Sequence, residues 1–107
     1  MYMAWTTCQD LDAGRTLAQA LVRAHLAVCV NIGPPSVSIY PWQGEVAETA
    51  EVVLTMKTSQ ANLTALKAFL ETHHPYDVPE FVAVPIVDGL PAYLDWASGY
   101  LEKNECT

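Results

Sequence analysis

The chain has 107 residues, enough for one domain with a single hydrophobic core and too few for two, so we predict one domain over residues 1–107. Hydrophobic residues make up 51% of the chain and charged residues 16%, well below the usual share of about a quarter, which favours self-association that covers apolar surface. The net charge of −7 argues against nucleic-acid binding, because an acidic protein repels the phosphate backbone.

The N-terminus and the cysteines together predict the cellular compartment. Residues 1–6 lack the basic region of a signal peptide, and no apolar run reaches the roughly 20 residues that span a bilayer. Cys8, Cys29 and Cys106 are an odd number at scattered spacings, without a disulfide framework or a C-x-x-C zinc pattern. We therefore expect a cytoplasmic protein in a reducing setting, without a membrane partner.

The first strand and helix are predicted from composition and spacing. Tyr2 to Thr7 is rich in aromatic and β-favouring residues, which is typical of a strand. Asp10 can accept the first free amide protons of a helix, which we predict from Leu11 to His25. The apolar residues of that segment repeat at helical spacing, as Leu17, Ala18, Leu21 and Val22.

The middle of the chain predicts a hairpin with long strands. Ala27 to Ile32 is a β-branched run, in which Cys29 is expected in the core. The segment 33–35, Gly-Pro-Pro, interrupts it with a bulge or kink, because proline lacks the amide proton that a sheet needs. Ser36 to Trp42 resumes the extended structure, Gly44 marks a turn, and Val46 to Thr58 returns as a long strand.

The last third of the chain predicts a helix, a strand and a closing helix. Ala61 to about Thr72 has helical spacing, and Pro75 stops it. Glu80 to Val87 is a strand that Pro85 places at a sheet edge or beside a bulge. Tyr93 to Leu101 again has helical spacing. The order β-α-β-β-α-β with an added C-terminal helix predicts an α+β, ferredoxin-like sandwich.

Several stretches in this order and spacing resemble the CutA family of divalent-cation-tolerance proteins, over roughly Thr6 to Trp96. They are Leu26–Ile32, Ser38–Gly44, Glu51–Leu54 with Lys57-Thr58, His74–Glu80 and Tyr93–Trp96. The resemblance implies a homotrimer whose sheets pack edge to edge, with long hairpins reaching into neighbours. It also implies a link to divalent-metal tolerance, particularly to copper.

The resemblance further implies a metal site. His73 and His74 match the paired histidines of the family's proposed site, and imidazole with thiolate suits copper or zinc. Family members with a proposed copper site carry a cysteine where this chain has Thr6, whereas Cys8 lies two residues later, on the same strand face but about 6–7 Å away. The predicted ligands are His73, His74 and Cys8. The alternative is that His74 packs at the helix end, His73 is solvated, and Cys8 is a small, partly buried side chain.

Lys57 is a lone cation on an otherwise apolar strand, and a buried ammonium group needs a partner. The residues that could surround it in a cleft or interface between subunits are Tyr40, Trp42, Glu51, Tyr76, Glu80 and Trp96. The structural interpretation is an intersubunit ion pair and aromatic cluster that hold the trimer together. The functional interpretation is an intersubunit cleft that binds a small anion or metabolite.

The sequence therefore predicts a metal-binding or metal-responsive homotrimer that acts without catalysis. The alternative is a signalling module that binds a small molecule in an intersubunit cleft around Lys57. An enzyme ranks last, because the chain has no Ser-His-Asp pattern, no glycine-rich phosphate loop and no H-E-x-x-H motif.

Overall fold

The computed structural model describes residues 1–103, which form five strands and three α-helices in the predicted order. The elements are β1 (Tyr2–Cys8), α1 (Leu11–Arg23), β2 (Cys29–Ile32), β3 (Ser36–Trp42), β4 (Glu45–Thr58), α2 (Leu63–His73), β5 (Val82–Pro85) and α3 (Pro91–Glu102). The α+β fold class with an added C-terminal helix is confirmed. Cys106 lies outside the described residues.

The strands form one antiparallel sheet in the order β2-β4-β1-β5. This is the strand order of the split βαβ fold. β5 lies at an edge, where Pro85 pairs with Tyr2, so the predicted edge position of Pro85 is confirmed. β4 has three partners: residues 45–51 pair with β3, whereas residues 52–58 lie between β1 and β2.

The ends of α1 follow from its cap residues. The Asp10 carboxylate accepts a hydrogen bond from the Ala13 amide at 2.8 Å, as expected for an N-cap. The helix was expected to reach His25 but ends at Arg23. His25 has a φ of +59°, a left-handed conformation that terminates a helix.

Helices α1 and α2 cover one face of the sheet. Leucines from both helices are buried there against β1 and β4, in a cluster that contains Leu17, Leu21, Leu66, Leu70, Ala4, Cys8, Val52, Leu54 and Met56. Burying a side chain the size of leucine stabilises the fold by about 1.5–3 kcal/mol. This cluster is the main core of the domain.

The opposite side of the sheet, the open face, carries Met3, Trp5, Val53, Thr55 and Lys57 by strand alternation. Helix α3 packs at one end of the domain in a small second cluster, which contains Val28, Ala97 and Leu101 with Met1, Cys29 and Tyr100 alongside. Cys29 was predicted in the core; it packs against this second cluster but is only partly buried, and it pairs with Lys57 across the strands on the open face.

Beyond the helix-covered sheet, β3 and residues 45–50 of β4 form a two-stranded hairpin that we name the arm. Its side chains are largely exposed, including Trp42 at 62% and Val46 at 76% of their full area. The turn at its tip is Gln43-Gly44, with φ values of +52° and +82°. Within residues 1–103 no element covers these apolar side chains.

Candidate functional site

His74 follows α2 directly and reaches back to the end of β1. The side chain is buried, and Nε2 donates a hydrogen bond to the Thr7 carbonyl oxygen at 2.7 Å. Nδ1 accepts a hydrogen bond from the Tyr76 backbone amide at 3.0 Å. This pair of bonds requires a neutral ring with its proton on Nε2, because a carbonyl can only accept and an amide can only donate. Both ring nitrogens of His74 are therefore engaged by the protein itself.

His73 points away from His74, at the exposed end of α2. Its Nδ1 donates to the Phe69 carbonyl oxygen at 3.0 Å, and the two rings stack with centroids 4.0 Å apart. The proton is thereby held on Nδ1, and the Nε2 lone pair has no hydrogen-bond donor among residues 1–103. A ligating histidine commonly has this arrangement, in which the second nitrogen donates to a backbone carbonyl.

Cys8 ends β1 inside the main core. Its Sγ lies 4.0 Å from His74 Nε2 and has no solvent exposure. Burial, together with the negative charges of Asp10 and Glu51, raises the pKa of the Cys8 thiol to about 11. The side chain is therefore a protonated thiol near neutral pH, whereas a metal binds the thiolate.

The structure thus separates the three predicted metal ligands. Cys8 and His74 meet in the interior, while His73 lies on the outside of α2. Among residues 1–103, no group of three histidine, cysteine, aspartate or glutamate side chains is arranged to hold a metal ion. The residues present in one chain do not fit a ready-made metal centre, and the site stays a prediction.

Glu51 forms a second polar cluster, at the base of the arm. Its side chain is buried, and Tyr76 donates its hydroxyl proton to Glu51 Oε2 at 2.5 Å. Burial raises the pKa of Glu51, but the hydroxyls of Tyr76, Ser38 and Thr7 favour the charged carboxylate and outweigh burial, so the pKa is lowered. Burial and the Glu51 carboxylate raise the pKa of the Tyr76 hydroxyl well above its usual range. The cluster joins an ionised carboxylate to a neutral phenol.

Lys57 lies far from that cluster. It is six residues beyond Glu51 on the same strand face, a separation of about 20 Å along β4. The ammonium group donates to Asn31 Oδ1 at 3.5 Å, and no carboxylate in the described part of the chain forms an ion pair with it. An ion pair between Lys57 and Glu51 is therefore not made within one chain.

The other predicted cleft residues are spread over the molecule. Tyr40 lies on the arm, where its hydroxyl contacts Thr49 Oγ1 at 2.7 Å, and Trp42 stands near the arm's tip. Trp96 is exposed on α3, with its ring centroid 5.8 Å from that of Tyr93. Glu80 is exposed in the segment before β5. Of the seven predicted residues, only Glu51 and Tyr76 bond to each other in the described chain.

Sequence reasoning missed two members of the Glu51 cluster. The hydroxyls of Thr7 on β1 and Ser38 on β3 lie near the Glu51 carboxylate and help to lower its pKa. Strand alternation would have placed Ser38 on the same face as Glu51 once the pairing of Ser36 with Glu51 was known. The pairing register itself could not be read from the sequence.

No helix in residues 1–103 is both long enough and apolar enough to cross a membrane.

Known proteins that are similar to this chain point to one family. The profile of the family described as CutA1 divalent ion tolerance protein matches residues 2–99. The chain is 51% identical over 90 residues to the divalent-cation tolerance protein CutA of Thermus thermophilus, covering 84% of this chain and 87% of that one.

Two further comparisons extend the likeness. Protein CutA of the mouse is 40% identical over 100 residues, which cover 94% of this chain and 56% of the mouse protein, so the chain spans about half its length. The solved structure of the periplasmic divalent cation tolerance protein CutA from Archaeoglobus fulgidus has a TM-score of 0.90 at 29% identity. That match covers 95% of this chain and 100% of the other.

Proposed function

The chain belongs to the CutA1 family of divalent ion tolerance proteins, and from this premise we propose that it is a cytoplasmic homotrimer that binds copper or zinc without catalysis. The cytoplasmic setting is supported by the free thiols of Cys8 and Cys29. The non-catalytic role is supported by the Glu51–Tyr76 cluster, which pairs a carboxylate with a protonated phenol and presents no activated nucleophile.

The exposed apolar surface supports the trimer. Trp42 and Val46 on the arm and Val82 and Val84 on the open face are all large and exposed. In the described chain, the outer edges of β2 and β5 pair with no further strand. Apolar patches and free sheet edges of this kind mark association surfaces. Sedimentation equilibrium should give three times the chain mass of 11.7 kDa, and a monomer that persists at high concentration would contradict the assembly.

The observation that carries the metal proposal is the orientation of His73. Its Nδ1 is held on the Phe69 carbonyl, so the Nε2 lone pair is oriented and available to a cation. One imidazole does not make a selective site, and we propose that the remaining ligands come from another copy in the trimer. Calorimetric titration with Zn(II) and Cu(II) should show saturable binding that His73→Ala abolishes.

Cys8 and surface carboxylates supply the controls for that titration. Cys8→Ser should leave the binding unchanged, because the Cys8 thiol is buried and protonated and lies apart from His73. Carboxylates of an acidic surface would instead bind several ions weakly, with strong salt dependence and no response to His73→Ala. That second pattern would refute the metal site.

A second function is favoured by Lys57. Lys57 as a residue is partly buried, and Asn31 is the polar partner of its ammonium group in the described chain. We propose as the alternative that an intersubunit cleft around Lys57 binds a small anionic metabolite, as a signalling module would. A thermal-shift screen of anionic metabolites tests this: a hit that raises the wild-type melting temperature should have no effect on Lys57→Met.

A further inference from the structure

The two adjacent histidines differ in what they can offer a metal. Both ring nitrogens of His74 form hydrogen bonds with the backbone, at Thr7 and Tyr76. In His73 only Nδ1 forms such a bond, with the Phe69 carbonyl oxygen. A metal ion at His74 would have to displace a hydrogen bond of 2.7 or 3.0 Å inside the core. Leaving a buried backbone amide or carbonyl without a partner is costly. The geometry therefore works against His74 as a ligand.

The same two bonds of His74 have a clear structural consequence. They tie the segment after α2 to the end of β1, with the His74 and Tyr76 rings 4.8 Å apart. The Tyr76 hydroxyl then reaches Glu51 on β4. His74 therefore fixes the backbone of Tyr76, and the Tyr76 hydroxyl in turn donates a hydrogen bond to the buried Glu51 carboxylate.

We infer that His74 is not a metal ligand but a positioning residue, a neutral imidazole bridge that seats Tyr76 on Glu51. Of the histidine pair, His73 alone is free to bind a metal through Nε2. This goes beyond the proposed function, because it separates two residues that the family resemblance assigns to one metal site and gives the second a different role. The site that His74 supports is the Glu51–Tyr76 cluster at the base of the arm.

The tautomers provide a direct test on the wild-type protein. Long-range ¹H–¹⁵N correlation spectra of the ¹⁵N-labelled chain distinguish a protonated from an unprotonated ring nitrogen. We expect a proton on Nε2 of His74 and on Nδ1 of His73. Titration with Zn(II) should then shift the Nε2 signal of His73 and leave both nitrogens of His74 unchanged. A proton on Nδ1 of His74, or a zinc-dependent shift of either of its nitrogens, would overturn the inference.

This experiment separates the inference from the proposed function. If zinc shifts neither histidine, the proposed metal binding through His73 fails, while the tautomer of His74 still decides its role as a bridge. If zinc shifts both, the metal proposal stands and the inference falls.

Matched variants test the bridge in solution. His73→Gln should lower the zinc affinity at least about tenfold, whereas His74→Gln should leave it unchanged, because the glutamine amide can donate to Thr7 in place of Nε2. An equal loss in both variants contradicts the inference.

Amide exchange gives a readout that a loss of packing alone does not explain. The Tyr76 amide should exchange faster in His74→Ala and regain protection in His74→Asn, whose side-chain oxygen can accept near the position of Nδ1. Unchanged protection of the Tyr76 amide in His74→Ala would mean that the bridge does not position that residue.

Discussion

The two halves of β4 share one strand but have opposite surroundings. In residues 52–58, the even positions are buried against α1 and α2, with Leu54 and Met56 fully covered. In residues 45–50, the strand continues with the same alternation into the arm, but Val46 on the helix-facing side is 76% exposed. The apolar side chains of the arm are therefore left uncovered within the described chain.

This difference shows that an alternating pattern specifies which face of a strand is to be covered, not what covers it. In the sheet the cover belongs to the same chain, and in the proposed assembly the cover of the arm comes from another copy. The stability of the two halves should therefore respond differently to mutation and to protein concentration.

The largest effect is expected from shortening one helix-facing side chain in each half of β4. Leu54→Ala should lower the free energy of unfolding by about 2–5 kcal/mol, because it leaves a cavity in the main core. Val46→Ala removes a side chain that is exposed in one chain, so it should act on assembly. Chemical denaturation combined with sedimentation equilibrium measures both effects.

The two variants distinguish the halves of β4 only if their losses of stability depend differently on protein concentration. Leu54→Ala should lower stability at every protein concentration, whereas the loss in Val46→Ala should shrink as concentration rises, because association is favoured by mass action. A Val46→Ala variant with wild-type assembly and stability would show that the arm is not covered by a partner.

The next effect lies at Glu51, where the two halves meet. The pKa of Glu51 is lower in the folded chain than its ordinary 4.5, so ionisation stabilises the fold. That contribution is complete above the ordinary value and is lost as the pH falls through the lower folded value. Glu51→Gln should cost about 1.5–3 kcal/mol at neutral pH and flatten the loss of stability on acidification, as followed by thermal denaturation against pH.

Glu48→Gln is the matched control, since Glu48 lies exposed on the arm, three residues before Glu51. It removes the same charge from the same strand and should leave the acid sensitivity intact. If both variants have the same pH profile as the wild type, the Glu51 carboxylate does not couple the arm to the sheet.

The sequence predicted the fold better than the site, for physical reasons. Element order follows from local spacing and from residues such as Asp10 and Pro85, whose effects depend on near neighbours. The ends of elements were less accurate: α1 was expected to reach His25 but ends at Arg23, because His25 has a left-handed backbone that no glycine signals in the sequence. The site depends on contacts between distant segments, such as His74 with Thr7, and on the orientation of each ring, which spacing does not determine.

A smaller effect is expected from Thr6 on β1, which pairs with Leu54 in the helix-covered half of β4. Its hydroxyl is fully buried and has no hydrogen-bond partner in the described chain. Thr6→Val replaces this hydroxyl by a methyl group of similar size and should raise the free energy of unfolding by about 1 kcal/mol. Thr6→Ser, which keeps the hydroxyl and loses the methyl, should be less stable than the wild type. A Thr6→Val variant that is destabilised in urea denaturation would indicate a hydrogen bond to the Thr6 hydroxyl in the assembled protein.

The smallest effect concerns the tip of the arm. Gln43 and Gly44 form a two-residue hairpin turn between Trp42 and Glu45, and both have positive φ values. Turns of this kind favour Asn-Gly, because asparagine adopts the left-handed conformation more readily than glutamine does. Gln43→Asn should therefore raise the free energy of unfolding by roughly 0.5 kcal/mol, measured by urea denaturation at a fixed protein concentration. Gln43→Val is the opposite control, since a β-branched residue is strained at positive φ. If both variants left stability unchanged while Val46→Ala disrupted assembly, the arm would be held by the surfaces that cover its strands, and its turn would contribute little.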